Sequence, residues 1–211
     1  MGLPMTRIFK DYSSVSLNPE DLDGKIDFVR IFGRPGPVQI EIGSGKATFL
    51  LNQATAQPRV NFIGIERANK YYRHAVDRIG RWHLTNVRII RTDAATFLAH
   101  RVPPHSVDCF HIYFPDPWPK RRHHKRRFFC PDNLAHLLYT LKTAGTIKVA
   151  TDDPQYFELI TDLIRAGRDR LEPTEFLPAA GADPGESVGT NFERKYRKQQ
   201  RQIYTIAVRK T

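Results

Sequence analysis

Val38-Gln39-Ile40-Glu41-Ile42, followed at once by Gly43-Ser44-Gly45, is the stretch on which the fold turns. The first five residues read as a strand, the glycines as a tight turn, and 46–57 as a helical stretch. Downstream the same unit repeats. Strand-like runs at 60–65, 87–91, 107–114 and 146–150 alternate with helical patterns at 68–84, 94–100, 134–141 and 156–168. Five strands spaced by helices specify βαβ units and a mostly parallel sheet with helices on both faces. Two further strand-like segments, 171–177 and 203–208, lack a clear helix between them and are expected to close the sheet as an antiparallel hairpin. The Pro/Gly/Ala-rich stretch 178–189 reads as a mobile loop.

Upstream, Asn18-Pro19-Glu20 reads as a capped helix start, and that helix is expected to run toward Phe32 and stop at Gly33-Arg34-Pro35-Gly36-Pro37. The expected organisation is an N-terminal extension with one helix (1–37) and a main domain (38–211).

Composition bounds the function. The 211 residues are 40% hydrophobic and 26% charged, ordinary globular values that exclude a disordered or coiled-coil chain. Two isolated cysteines, Cys109 and Cys130, exclude a disulfide scaffold and a CxxC zinc site, and no metal is expected. No apolar run approaches the roughly 18 residues that span a bilayer, and MGLPMTRIFK holds no apolar signal core; the expected location is the cytoplasm. Met1-Gly2 with Thr6 matches a loose myristoylation pattern, but Pro4 lies inside it and no second anchoring signal is adjacent, so it reads as chance.

The net charge of +11 predicts a polyanionic partner. Residues 118–127 hold six basic residues and no acid, and residues 190–211 hold seven with one acid. Trp118, Phe128, Phe129, Phe192, Tyr196 and Tyr204 are interleaved with these runs. Cations grip phosphates and rings stack on bases, so the pattern suits RNA better than a membrane; two solvated charged faces are the plainer alternative.

Ligands of open parallel sheets bind at the carboxyl ends of the strands. Four acids stand there: Glu41, Glu66, Asp93 and Asp116. The Gly43–Gly45 turn lacks the third glycine of a dinucleotide fingerprint, and an acid before it repels pyrophosphate but suits a cation. S-adenosylmethionine carries an ammonium and a sulfonium and no phosphate. Glu41 is expected to take the ammonium, Glu66 the ribose hydroxyls and Asp93 the adenine amine. Helix capping is the competing role for Asp93 and Glu66. Phe114-Pro115-Asp116-Pro117-Trp118-Pro119-Lys120 places Asp116 on a proline-stiffened loop.

These residues resemble the bacterial-type tRNA (guanine-N7)-methyltransferase family. The resemblance spans 38–211 and rests on Glu41 to Lys46, Gly64-Ile65-Glu66, Asp93-Ala94, Phe114 to Lys120 running into Arg121 to Arg127, Ala150-Thr151-Asp152, and Thr190-Asn191-Phe192-Glu193. Ala47 and Thr92 depart from the family, which often has glycine at both. The resemblance implies a Rossmann-like class I methyltransferase fold using S-adenosylmethionine, with methylation of a tRNA variable-loop guanine at position 46. It implies cofactor contacts at Glu41, Gly43, Gly45, Glu66, Asp93, Ala94 and Asp116, with Asp116 also catalytic. It implies substrate contacts at Lys120, Asp152, Thr190, Asn191, Phe192 and Glu193, and RNA contacts at Arg122, His123, His124, Lys125, Arg126 and Arg127.

Guanine N7 carries a lone pair and no proton, so Asp116 is expected to act electrostatically rather than as a base. Glu193 is the expected reader of the guanine N1–H and 2-amino group. The rivals are an amino-group N-methyltransferase, which the Asp116-Pro117-Trp118 loop fits less well, and a non-catalytic RNA-binding subunit, which four intact strand-end acids oppose. No obligatory protein partner is expected; a monomer or a homodimer remains open.

Overall fold

The computed structural model describes residues 9–211, so the Met1-Gly2-Thr6 pattern lies outside the described residues. Among these residues eight strands form one sheet: β1 (Ser16–Leu17), β2 (Val38–Ile42), β3 (Asn61–Ile65), β4 (Val87–Ile90), β5 (Val107–Tyr113), β6 (Leu141–Thr151), β7 (Leu171–Thr174) and β8 (Tyr204–Lys210). Their order is β1-β4-β3-β2-β5-β6-β8-β7. Strands β1 to β6 pair in parallel, and β8 is antiparallel to both β6 and β7. The chain reverses direction in the sheet between β3 and β5, with β2 at the switch; crevices at such points hold ligands.

Among the described residues seven α-helices cover the sheet: α1 (Phe28–Phe32), α2 (Thr48–Ala56), α3 (Asn69–Arg81), α4 (Ala94–His100), α5 (Pro131–Thr140), α6 (Pro154–Ala166) and α7 (Asn191–Lys198). Phe49, Leu50 and Ala54 of α2 and Ala75, Val76 and Ile79 of α3 pack on one face with Phe62, Val87 and Ile89. Phe97 and Leu98, Leu134 to Leu138, and Tyr156 to Ile164 pack on the other with Ile40, Ile63 and Phe110. Gly64 permits the approach of α2: a Cβ there would stand 2.5 Å from Leu50 Cδ1 and 2.9 Å from Ile89 Cδ1.

Three expectations are corrected. The helix expected from Asn18 to Phe32 is split into a 3-10 turn, Pro19–Asp21, and α1. Asn18 does cap, accepting from Glu20 N–H, but the next residues bond elsewhere. Arg101 donates to the Leu22 and Gly24 carbonyls, and Ile26 N–H donates to Arg101 O at 2.7 Å, so the end of α4 takes the backbone that a continuous helix needs. The 178–189 loop is folded on itself and on α2: Ala179 N–H bonds Ser187 O at 2.8 Å, and Gln53 Nε2 donates to Ala180 O. And α7 is a helix that the polar segment did not suggest.

Candidate active site

Glu41 stands beside Gly64 of β3 and His111 of β5 and is 4% exposed. Its Oε2 has no hydrogen-bond partner, and neither has Ser44 Oγ in the turn above it. Burial, and then the charge of Glu66, raises the Glu41 pKa well above the ordinary carboxylate value. A buried carboxylate without a partner costs free energy that the fold does not recover. A cation placed beside it would offset that cost.

The turn is built to face a ligand. Gly43 (φ 79°) and Gly45 (φ 53°) lie in the left-handed region, and the Gly43 and Ser44 N–H groups bond Ile65 O at 2.9 and 3.0 Å. Gly45 N–H donates to Glu66 Oε2 at 2.9 Å and Ala68 N–H to Glu66 Oε1 at 2.7 Å. The Glu66 carboxylate is thereby oriented while each oxygen keeps a lone pair for a hydroxyl donor. Asp93 caps α4: its Oδ1 accepts from Thr96 N–H at 3.1 Å, and Oδ2 lies 3.9 Å from Arg67. Ala94 is the first residue of that helix. The residues present therefore fit S-adenosylmethionine, with the unpaired Glu41 oxygen as the deciding observation.

Across the switch point, Phe114 at φ 52° takes the chain out of β5, its N–H still bonded to Ala150 O at 2.7 Å. Asp116 is exposed and free of ion pairs among the described residues. Trp118 sits at φ 45°, with Arg126 5.0 Å above its ring and His123 edge-on at 5.7 Å. The basic run forms a 3-10 helix, Arg121–Arg126, that doubles back over this loop. Lys120, Arg122, His124 and Lys125 stay exposed. Arg127 is the exception: its Nε donates to Pro117 O at 2.7 Å and its guanidinium covers the Tyr156 ring at 5.1 Å. It clamps the proline loop.

Helix α7 completes the site. Phe192, 49% exposed, lies 6.2 Å from Phe114 and 6.0 Å from Tyr196, and Phe114 lies 5.4 Å from Tyr196. Burial first, and then the Asp152 and Asp116 charges, raise the Tyr196 pKa. Asp152 is 2.5 Å from Arg201, whose guanidinium stacks 4.6 Å above Tyr196. Arg201 escaped the sequence reading; no local pattern links it to Asp152.

Glu193 corrects its expected role. It is fully buried, accepts from the N–H groups of Ser187, Val188 and Gly189 at 2.6, 2.8 and 2.8 Å, and pairs with Arg197 at 3.0 Å. Its carboxylate is occupied, so the geometry gives it loop anchoring in place of base reading. Thr190 caps α7 by accepting from Glu193 N–H at 3.0 Å. Thr190-x-x-Glu193 is a capping-box spacing, the signal that would have found the helix. Asn191, its first residue, is exposed.

An α/β sheet with a glycine turn, an unpaired buried acid and a ribose-type acid at its strand tips defines an S-adenosylmethionine-dependent methyltransferase. A family described as "putative methyltransferase" matches residues 35–206. A tRNA (guanine-N(7)-)-methyltransferase of Rhodopirellula baltica is 35% identical over 95% of this chain and 76% of that protein. One of Alkalilimnicola ehrlichii is 36% identical over 88% and 77%. Among solved structures, a 30S ribosomal A1408 methyltransferase from an uncultured bacterium superposes with a TM-score of 0.58 at 17% identity, covering 89% of this chain and 95% of the other. A SAM-dependent methyltransferase from Aquifex aeolicus gives 0.53 at 13%, covering 86% of each. The chain belongs to the tRNA (guanine-N7)-methyltransferase family.

Proposed function

We propose that the chain methylates N7 of a guanine in tRNA from S-adenosylmethionine, at position 46 of the variable loop. The observation that carries the reading is the orphaned Glu41 carboxylate under the Gly43–Gly45 turn, beside a proline-stiffened acid and an exposed aromatic cluster. A non-catalytic scaffold has no use for an unpaired buried acid, and an amino-group transferase needs a proton acceptor that N7 does not. Bound S-adenosylmethionine supplies an electrophilic methyl on a sulfonium.

The chain's residues do the rest. Glu41 holds the ammonium, Glu66 the ribose, and Asp93 with Ala94 the adenine edge. Phe192 and Tyr196 offer faces against which an unstacked base packs. Asp116 stabilises the positive charge that grows on the purine. In water that attraction is weak, about 1 kcal/mol at 4 Å. Covering the exposed loop with RNA strengthens it. Asp152, paired with Arg201 beside Tyr196, and Lys120 on the proline loop are the remaining substrate contacts in this reading, and Arg122 to Arg126 take phosphates. The protein works in the cytoplasm as a monomer or homodimer, with 1–37 an extension of the 38–211 catalytic domain. Among the described residues no helix is long and apolar enough to cross a membrane.

The test is to map the labelled methyl in tRNA treated with the protein. A label on variable-loop guanine N7 is expected; a label on another base overturns the assignment. Asp116→Ala should lower the single-turnover rate at saturating cofactor roughly a hundredfold or more, on the order of 3 kcal/mol. A rate within about threefold of wild type removes Asp116 from that role.

A further inference from the structure

Residues 67–91 carry seven basic side chains and one acid, a density close to that of the 190–211 run. Three of the seven are committed to the fold. Arg78 donates to Thr48 Oγ1 at 2.7 Å, Arg81 pairs with the buried Asp77 at 3.0 Å, and Arg88 donates to the carbonyls of Thr85, Val87 and Ile31. Arg67, Lys70, Arg73 and Arg91 are exposed. Of these, only Arg67 approaches an acid among the described residues, Asp93 at 3.9 Å, and its side chain is 85% exposed. Tyr71, 43% exposed, stands among them.

The fold does not account for these cations. The packing face of α3 is Ala75, Val76 and Ile79, and Lys70 and Arg73 sit in its first turns, where the helix dipole disfavours positive charge. Their position does suggest a use. Helix α3 leaves the carboxyl end of β3, the same end of the sheet as Asp116. The 121–126 run and α7 lie on the β5 and β6 side. From β4 to β6 is four strand spacings, about 19 Å, so the two groups of cations straddle the cofactor turn.

We infer that the exposed face of α3, with Arg91, is a second phosphate-binding track for the same folded tRNA, gripping backbone remote from the methylated base. The inference rests on the tRNA reading above. A folded tRNA presents phosphates on both sides of the pocket, so backbone outside the methylated loop can lie along α3 while the target base sits at the site.

The test uses the full chain and a full-length tRNA transcript, with binding measured from 50 to 200 mM salt. Lys70→Ala/Arg73→Ala should weaken binding and reduce the salt slope by roughly one to two. Lys70→Glu/Arg73→Glu should weaken it further, while melting temperature and cofactor affinity stay at wild-type values. Combined with Arg122→Ala/Lys125→Ala, the slope losses should add, as expected for separate phosphates. An unchanged slope in the α3 variants overturns the inference, and so does a combined loss no larger than either alone. If Arg122→Ala/Lys125→Ala still weakens binding in that case, the tRNA reading survives; if wild type binds no tRNA, that reading fails first.

Discussion

Glu41 is the residue at which stability and function oppose each other. Its Oε2 is buried and unpaired, and burial raises its pKa from the unfolded value of 4.5. A carboxyl whose folded pKa is raised contributes its full stability below the unfolded value and loses it as pH climbs toward the folded one. The cofactor-free protein should therefore lose stability from about pH 4.5 upward through this group. Glu41→Gln should remove that loss, raising the stability of the cofactor-free protein at pH 7 by about 1 kcal/mol, and should weaken cofactor binding at least tenfold. Thermal melting across pH and calorimetric titration check the two halves. A Gln variant less stable than wild type at pH 7, or one that binds cofactor normally, contradicts the assignment.

Helix α7 and the loop before it stand or fall together. Three successive loop N–H groups and the Arg197 guanidinium converge on Glu193, whose side chain is fully buried. Removing the carboxylate strands three donors. Glu193→Ala is expected to cost about 3 kcal/mol, and the protein should melt roughly 6–12 °C lower, without any RNA present. Limited proteolysis should cut within 178–189 sooner than in wild type. Since Phe192 rides on this helix, activity should fall as well, but an intact melting temperature with lost activity would restore the base-reading role. The capping box was legible at Thr190 and Glu193. The partners at Ser187 to Gly189 were not, because a mobile-looking Pro/Gly composition says nothing about which side chain will pin it.

Charge acts over the entire surface, yet neighbouring arginines differ in what they hold. Arg126 is exposed over Trp118, whereas Arg127 is tied to Pro117 O and Tyr156. Arg126→Ala should flatten the salt dependence of tRNA binding by about one unit and barely change melting. Arg127→Ala should lower stability by about 1–2 kcal/mol through the lost clamp and ring contact. Binding isotherms over a salt series and denaturant melts separate the two; identical behaviour would reject the distinction. Sheet order sets the arrangement these charges share, since β2 lies between the α3 face and the 121–126 run.

The alternating strands and helices, the glycine turn, the four strand-end acids and the proline loop were all readable along the chain. Periodicity, φ preference and the βαβ rule act over a few residues or one unit, so local sequence specifies them. One strand escaped, since Ser16–Leu17 is too short to show a period, and the hairpin was legible as two strand-like segments, though not that β8 rather than β7 pairs with β6. The same limit applies to the site. That Glu41 is orphaned, Glu193 consumed, Arg127 committed and Asp152 joined to Arg201 depends on groups brought together from distant segments. Desolvation and the supply of partners are properties of the packed molecule, and no spacing along the chain encodes them.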